Sequence, residues 1–129
     1  LRSEPTWIEE QLLRTVQEEQ LAEHGGMVGI RDANLLASAL ARPLNLFAYD
    51  ENADLAALAA AYGIGLVRNH PFLDGNKRAG LIAVDLFLRL NGSRLTATNA
   101  EAVIEILALA AGERTDDAFT AWVRDHAAR

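Results

Sequence analysis

The sequence predicts an all-α fold, a compact bundle of about six helices. Three observations carry this. Alanine and leucine dominate and the chain holds only 3 prolines. Apolar residues recur at helical rather than alternating spacing over most of its length. The apolar stretches are bounded by residues that start and stop helices.

Taken in order, Thr6-Trp7-Ile8-Glu9 fits a capping box, with Thr6 as N-cap and Glu9 reaching back. Ile8, Leu12, Leu13, Val16 and Leu21 follow at near-helical spacing, and His24-Gly25-Gly26 stops this first helix. Asp32 caps a second, shorter helix through Leu35, Leu36 and Leu40, which is expected to end before Pro43. The stretch Pro43–Glu51 reads as a loop or short hairpin. Asp54 caps a third helix to about Val67, and its residues leave almost no polar face. The segment Ala79–Leu90 is equally apolar and ends at Asn91-Gly92. Helices that are apolar all round belong in the middle of a bundle. Thr98-Asn99-Ala100-Glu101 is a second capping box, opening a helix to about Ala111, with Gly112 as its stop. Thr115 or Asp116 opens a last helix through Phe119, Trp122 and Val123.

The 129 residues suit one domain, read as 1–129 without repeat or linker. The absence of cysteine excludes disulfides, thiolate metal sites and cysteine nucleophiles, and suits a reducing cytoplasm. No apolar run approaches the ~20 residues of a membrane span and no signal-peptide pattern opens the sequence, so a cytoplasmic protein without a membrane partner is expected. The formal net charge of -6 argues against a protein that binds nucleic acid through its bulk field.

Between the two most apolar helices lies Arg68-Asn69-His70-Pro71-Phe72-Leu73-Asp74-Gly75-Asn76-Lys77-Arg78. A plain connector needs glycine, proline or asparagine for its turn. It has no need of a histidine, an aspartate and three cations. Gly75-Asn76-Lys77-Arg78 opens a helix, whose first amides lack intrahelical partners and sit at the positive end of the dipole. Gly75 permits close backbone approach. Asn76 offers an amide donor, Lys77 a compact charge and Arg78 a planar fork for phosphate oxygens. These are the parts of an anion hole for a polyphosphate, and also of a solvated helix start. Asp74 beside them can hold Mg²⁺, or can merely cap the helix. His70 can act as a general base near neutral pH, or stand as an ordinary helix-end histidine. Phe72 anchors the loop in the core and Pro71 stiffens it. Each signal alone is weak. Their conjunction within nine residues is not.

These nine residues, His70 to Arg78, resemble the signature loop of the Fic/Doc superfamily, H-x-F-x-[D/E]-[A/G]-N-x-R, at all six specified positions. Lys77 at the variable position resembles the Doc (death-on-curing) toxin branch, whereas the Fic branch carries glycine there. Leu81 likewise stands where the Fic pattern has a second arginine. Gly25-Gly26, Gly29-Ile30-Arg31-Asp32 and Phe87 to Gly92 extend the likeness, which covers roughly Thr6 to His126.

The resemblance implies a bundle of about six helices with a flap between Arg42 and Asn52 that aligns a target chain. It implies His70 as the base that deprotonates a target hydroxyl and Asp74 as the ligand of Mg²⁺ on ATP. Gly75, Asn76, Lys77 and Arg78 would hold the phosphates, and Arg68 matches a family arginine near the site. It further implies a type II toxin of the bacterial cytoplasm that acts as a protein kinase. Its target would be a threonine of translation elongation factor Tu, and translation would stop. The alternatives are AMP transfer, as in the Fic branch, and a catalytically inactive module that only binds an antitoxin. Some Fic proteins carry an inhibitory helix, [S/T]-x-x-x-E-[G/N]. Here Thr6…Glu10 is followed by Gln11 and Thr15…Glu19 by Gln20, so neither completes it. Restraint by a separate antitoxin protein is the expectation.

Overall fold

The computed structural model describes residues 2–129. Among them are six helices: α1 (Glu10–His24), α2 (Ala33–Tyr49), α3 (Leu55–Asn69), α4 (Asn76–Leu90), α5 (Asn99–Ala110) and α6 (Asp116–Asp125). Two short strands, β1 (Arg94–Leu95) and β2 (Ala127–Ala128), pair antiparallel and tie the end of the chain to the exit of α4. The all-α expectation holds.

The core is built around α3. Ala56 and every residue from Leu58 to Val67 are buried, so this helix has neighbours on all sides. It packs chiefly on α2, α4 and α6. Small residues set the spacing. A Cβ on Gly65 would lie 3.2 Å from the Ala39 backbone of α2, and one on Gly80 of α4 would lie 3.2 Å from the Gly63 carbonyl of α3. The helix backbones therefore nearly touch, and Tyr62, Val84, Phe87 and Phe119 fill the space around them. The loop joining α3 to α4 thus stands at the end of the most extensively packed helix pair.

Most helix starts follow their local sequence. The Asp32 carboxylate accepts the Leu35 N–H at 3.0 Å and Asp54 accepts that of Ala57 at 2.9 Å. Thr98 and Thr115 do the same for α5 and α6. Three expectations need correction.

The Thr6–Glu9 capping box does not form, and α1 begins at Glu10 instead. Asn91 competes for Thr6: its Oδ1 accepts the Thr6 N–H at 2.8 Å and its Nδ2 donates to the Thr6 carbonyl at 2.9 Å. Ile8 then donates its N–H to the Tyr62 hydroxyl at 3.1 Å. The entry segment is held extended by the core, so the helix starts later.

The second helix does not end before Pro43. It runs through that proline to Tyr49, and the segment Pro43–Glu51 is neither hairpin nor loop over most of its length. Proline removes the N–H that would reach Ala39. Continuing the helix nevertheless buries Pro43 and packs Leu46 and Phe47 on the core, with Phe47 edge-on to Trp7 at 5.5 Å. That burial outweighs one lost bond. The implied flap between Arg42 and Asn52 is therefore helical up to Tyr49, followed by a short turn. Finally, the β1–β2 pair is an element that helical periodicity did not announce.

Candidate active site

Asn69 ends α3, and His70 takes the left-handed conformation at its C-cap (φ 52, ψ 52). This is the one non-glycine residue with positive φ among those described. Histidine tolerates the region better than most residues, yet it is sparsely populated and needs support. Support comes from Arg31. Its Nε donates to the His70 carbonyl at 2.7 Å and an Nη donates to the Asn69 carbonyl at 3.0 Å. The guanidinium thus occupies the carbonyls that α3 leaves unpaired at its end.

The segment carrying Arg31 also zips to the loop. The Pro71 carbonyl accepts the N–H groups of Arg31 at 2.7 Å and Asp32 at 3.1 Å. Leu73 donates to the Gly29 carbonyl at 3.0 Å, and Ile30 and Phe72 form an antiparallel bridge. Extended backbone does lie beside the loop, then, but the α1–α2 connection supplies it and residues 42–52 do not. Its Met27 and Val28 side chains are exposed.

Phe72 is buried in the core cluster and fixes the middle of the loop. Asn76 closes it from within. This residue is 3% exposed; its Oδ1 accepts the Phe72 N–H at 2.9 Å and its Nδ2 donates to the Phe72 carbonyl at 3.0 Å. The amide therefore copies a backbone pair across the turn, with one N–H of its NH₂ group engaged there. The backbone N–H of Asn76 stands with the other amides that open α4.

Gly75 is the N-cap of α4, left-handed at φ 72, with no side chain capping the helix. The first intrahelical bond runs from the Ala79 N–H to the Gly75 carbonyl at 2.8 Å. The N–H groups of Asn76, Lys77 and Arg78 precede that ladder and have no intrahelical acceptor. Whereas α2, α3, α5 and α6 are capped by their own side chains, α4 presents bare amides at the positive end of its dipole.

Asp74 stands before this turn. Its Oδ1 accepts the Gly75 N–H at 2.9 Å and its Oδ2 accepts the Met27 N–H at 3.3 Å. A carboxylate has about four lone-pair sites, so each oxygen keeps one free. No group of three or more metal-binding side chains occurs among the described residues. A lone carboxylate fits Mg²⁺ carried in on phosphates, which needs only one or two protein oxygens. It would not suit a cation bound by protein alone.

A cleft of about 310 Å³ gathers these parts. His70, Asp74, Gly75, Asn76, Lys77 and Arg78 line it, together with Leu73, Leu21 and Gly25. Lys77 also lines a second, open cavity of about 580 Å³, whose wall includes Ile104, Leu107, Ala108 and Ala111 of α5 and its C-cap. Arg68 stands apart. Its guanidinium pairs with Asp116 of α6, which Arg42 also reaches at 3.2 Å, and it does not line the loop cleft. At the end of α3 its side chain follows the helix face toward α6 rather than the turn.

The roles of two residues at the loop escaped the sequence reading. Arg31 gives no periodic signal, since its role is to meet carbonyls 38 and 39 residues away. Gln17 does give one. It lies between Leu13 and Leu21 at four-residue spacing, so a polar residue occupies the buried stripe of α1.

The model of the Fic/DOC family matches residues 7–88. The chain is 34% identical over 80 residues to the protein kinase doc of Escherichia phage P1, covering 62% of this chain and 64% of that protein. It is 42% identical over 74 residues to the toxin Doc of Mycolicibacterium smegmatis, covering 57% of each. The match spans less than two thirds of either relative's length. Because the family match runs from the entry to α1 through α3, the loop and most of α4, and takes in more than half of the chain, the chain belongs to the Fic/DOC family.

Proposed function

We propose that this chain is a Doc-type toxin that transfers the γ-phosphate of ATP to a hydroxyl of a target protein. The observation that carries this is the loop cleft: a histidine, a carboxylate, two cations and three unpaired helix amides share one space of about 310 Å³.

The α4 amides, Lys77 and Arg78 receive the phosphate oxygens and stabilise the charge that moves between them in the transition state. Asp74 would hold the Mg²⁺ that accompanies ATP, and the ion would neutralise phosphate charge there. His70 takes the proton of the target hydroxyl. As the new bond forms between that oxygen and the γ-phosphorus, the bond from phosphorus to the β–γ bridging oxygen breaks. ADP leaves with the electron pair. The apolar wall of α5 beyond Lys77 suits the nucleoside end. The exposed Met27 and Val28 suit the target chain.

AMP transfer is the second reading. Against it stand Lys77, which fills the space that a glycine would leave for the inner phosphates, and Leu81, which packs on the core where a second phosphate-binding arginine would be needed. The intact loop disfavours an inactive antitoxin-binding module. A threonine of elongation factor Tu is the proposed target, arrested translation the consequence, and a separate antitoxin the restraint. The likeness to relatives named Doc supports this reading. The proposed setting is the bacterial cytoplasm. No helix among the described residues is long and apolar enough to cross a membrane.

The test is to incubate the chain with elongation factor Tu and ATP labelled at either the γ- or the α-phosphate. Label arriving only from the γ position is the expected result. Label arriving from the α position replaces the kinase reading with AMP transfer.

A further inference from the structure

Gln17 lies on α1, 57 residues before the turn it touches, and is 2% exposed. A glutamine is unfavourable to bury unless its amide is satisfied. Here only half of it is. Its Nε2 donates to the Asp74 carbonyl at 3.0 Å and reaches the Gly75 carbonyl at 3.4 Å, while its Oε1 meets no donor among the described residues. The reverse orientation would set Oε1 against two carbonyl oxygens, so the contact itself fixes the amide.

A side chain kept for packing alone would be apolar at this position, as Leu13 and Leu21 are on the same stripe. Burying an unpaired oxygen is explicable if the donor half has a task. The packing is direct: a Cβ at Gly75 would stand 2.9 Å from Nε2, in addition to its left-handed φ of 72°.

In a trans peptide the N–H points opposite to the C=O. Holding the Asp74 and Gly75 carbonyls toward α1 therefore turns the N–H groups of Gly75 and Asn76 away from it. The Gly75 N–H meets the Asp74 carboxylate. That of Asn76 is the first of the three unpaired α4 amides. We infer that Gln17 is a positioning residue of the anion hole, setting from α1 the peptide planes that aim the α4 amides at a bound phosphate. The inference rests on the phosphate-binding reading of the loop and adds to it a residue from a different helix.

Binding of Mg²⁺-tripolyphosphate by the full chain tests it, with thermal unfolding measured in parallel. Gln17→Met keeps the volume and removes the donor. It should unfold within a few degrees of wild type yet bind at least tenfold more weakly. Gln17→Glu supplies the pH readout. At pH 8 its carboxylate repels the two carbonyls, and affinity should fall as in the Met variant. At pH 5 the protonated carboxyl donates through its O–H, and affinity relative to wild type at that pH should recover. A Glu variant whose relative affinity is the same at both pH values overturns the inference, as does undiminished binding by the Met variant. Failure of the wild-type chain to bind tripolyphosphate at all would instead overturn the phosphate reading itself, and the Gln17 role with it.

Discussion

The Arg31 guanidinium holds His70 by its backbone. Nε meets the His70 carbonyl at 2.7 Å and an Nη meets that of Asn69 at 3.0 Å, while the histidine ring is left to line the cleft. An exposed residue on the α1–α2 connection thus fixes the strained αL turn from which the proposed base projects.

Loss of this clamp should affect rate more than fold. Arg31→Ala frees two carbonyls near the surface, where water can replace the guanidinium. Unfolding should shift by no more than ~1–2 kcal/mol. The turn at His70 then has less to hold it, and a misplacement of about 1 Å near the chemistry can lower a rate ~10²-fold. Arg31→Lys should not restore activity, because an ammonium cannot span both carbonyls with a planar fork. Phosphotransfer rates and urea unfolding of the two variants check this. A lysine variant at wild-type rate would remove the need for the fork.

His70 and Phe72 should separate chemistry from stability. Removing the imidazole should lower the rate by ~10²–10⁴, the usual contribution of a general base. The backbone adds a further distinction. At φ 52 an alanine is strained and a glycine is not, so His70→Gly should be more stable than His70→Ala by about 1 kcal/mol or more, with equally little activity. Phe72→Ala should cost ~3–5 kcal/mol, because it empties a buried site. Denaturant titration of the three variants checks this ordering, and equal losses at positions 70 and 72 would contradict it.

Asn76 sits in the signature loop, and its amide pairs with the Phe72 backbone inside the protein. Asn76→Ala would leave the buried Phe72 N–H and carbonyl without partners, at ~1–3 kcal/mol for each unsatisfied group. Asn76→Asp keeps an acceptor for the N–H but opposes the carbonyl. Both variants should unfold at lower temperature and bind Mg²⁺-tripolyphosphate more weakly. An Asn76→Ala protein of wild-type stability would instead place the amide's role in the cleft.

What could be read from the sequence was local. Asp32, Asp54 and Thr98 reach N–H groups three residues away, so their caps are written where they act. The loop from His70 to Arg78 is contiguous, and one turn between two buried helices brings its polar groups together. Failures came wherever a distant partner outbid a local one. Thr6 had a sound capping box but was taken by Asn91, 85 residues on. Pro43 should have ended α2, yet the burial of Leu46 and Phe47 carried the helix past it. Arg68 adjoins the loop in sequence but pairs with Asp116 on α6. Gln17 and Arg31 reach the loop from other elements; Gln17 left a trace as a polar residue on an apolar stripe, and Arg31 only as part of the family-like segment 29–32, with no sign of its role.

The central helix offers a test by pH. Asp54 caps α3 through the Ala57 N–H and also receives the Arg124 guanidinium of α6, at 2.7 and 3.1 Å. Hydrogen bonding from Arg124 is the main cause that holds its carboxyl below the usual carboxylate value, against the opposing effect of burial; the Ala57 N–H adds to the lowering. A folded-state value below the unfolded one makes the ionised form the stabilising one. Its contribution is present above the unfolded value of ~3.9 and is lost as pH falls through the lowered folded value. The pair is about half-exposed, so it should be worth no more than ~1 kcal/mol. Asp54→Asn retains a good cap and deletes only the charge. It should trail wild type slightly at pH 7, and the gap should close as pH falls through the lowered folded value, where wild type loses the same charge. Asp54→Ala removes the cap as well and should remain ~1 kcal/mol less stable than the Asp54→Asn variant at neutral pH. Urea titrations of the three proteins at pH 7 and at stepwise lower pH separate the two roles. A gap between wild type and the Asp54→Asn variant that widens in acid would have the wrong sign for this linkage.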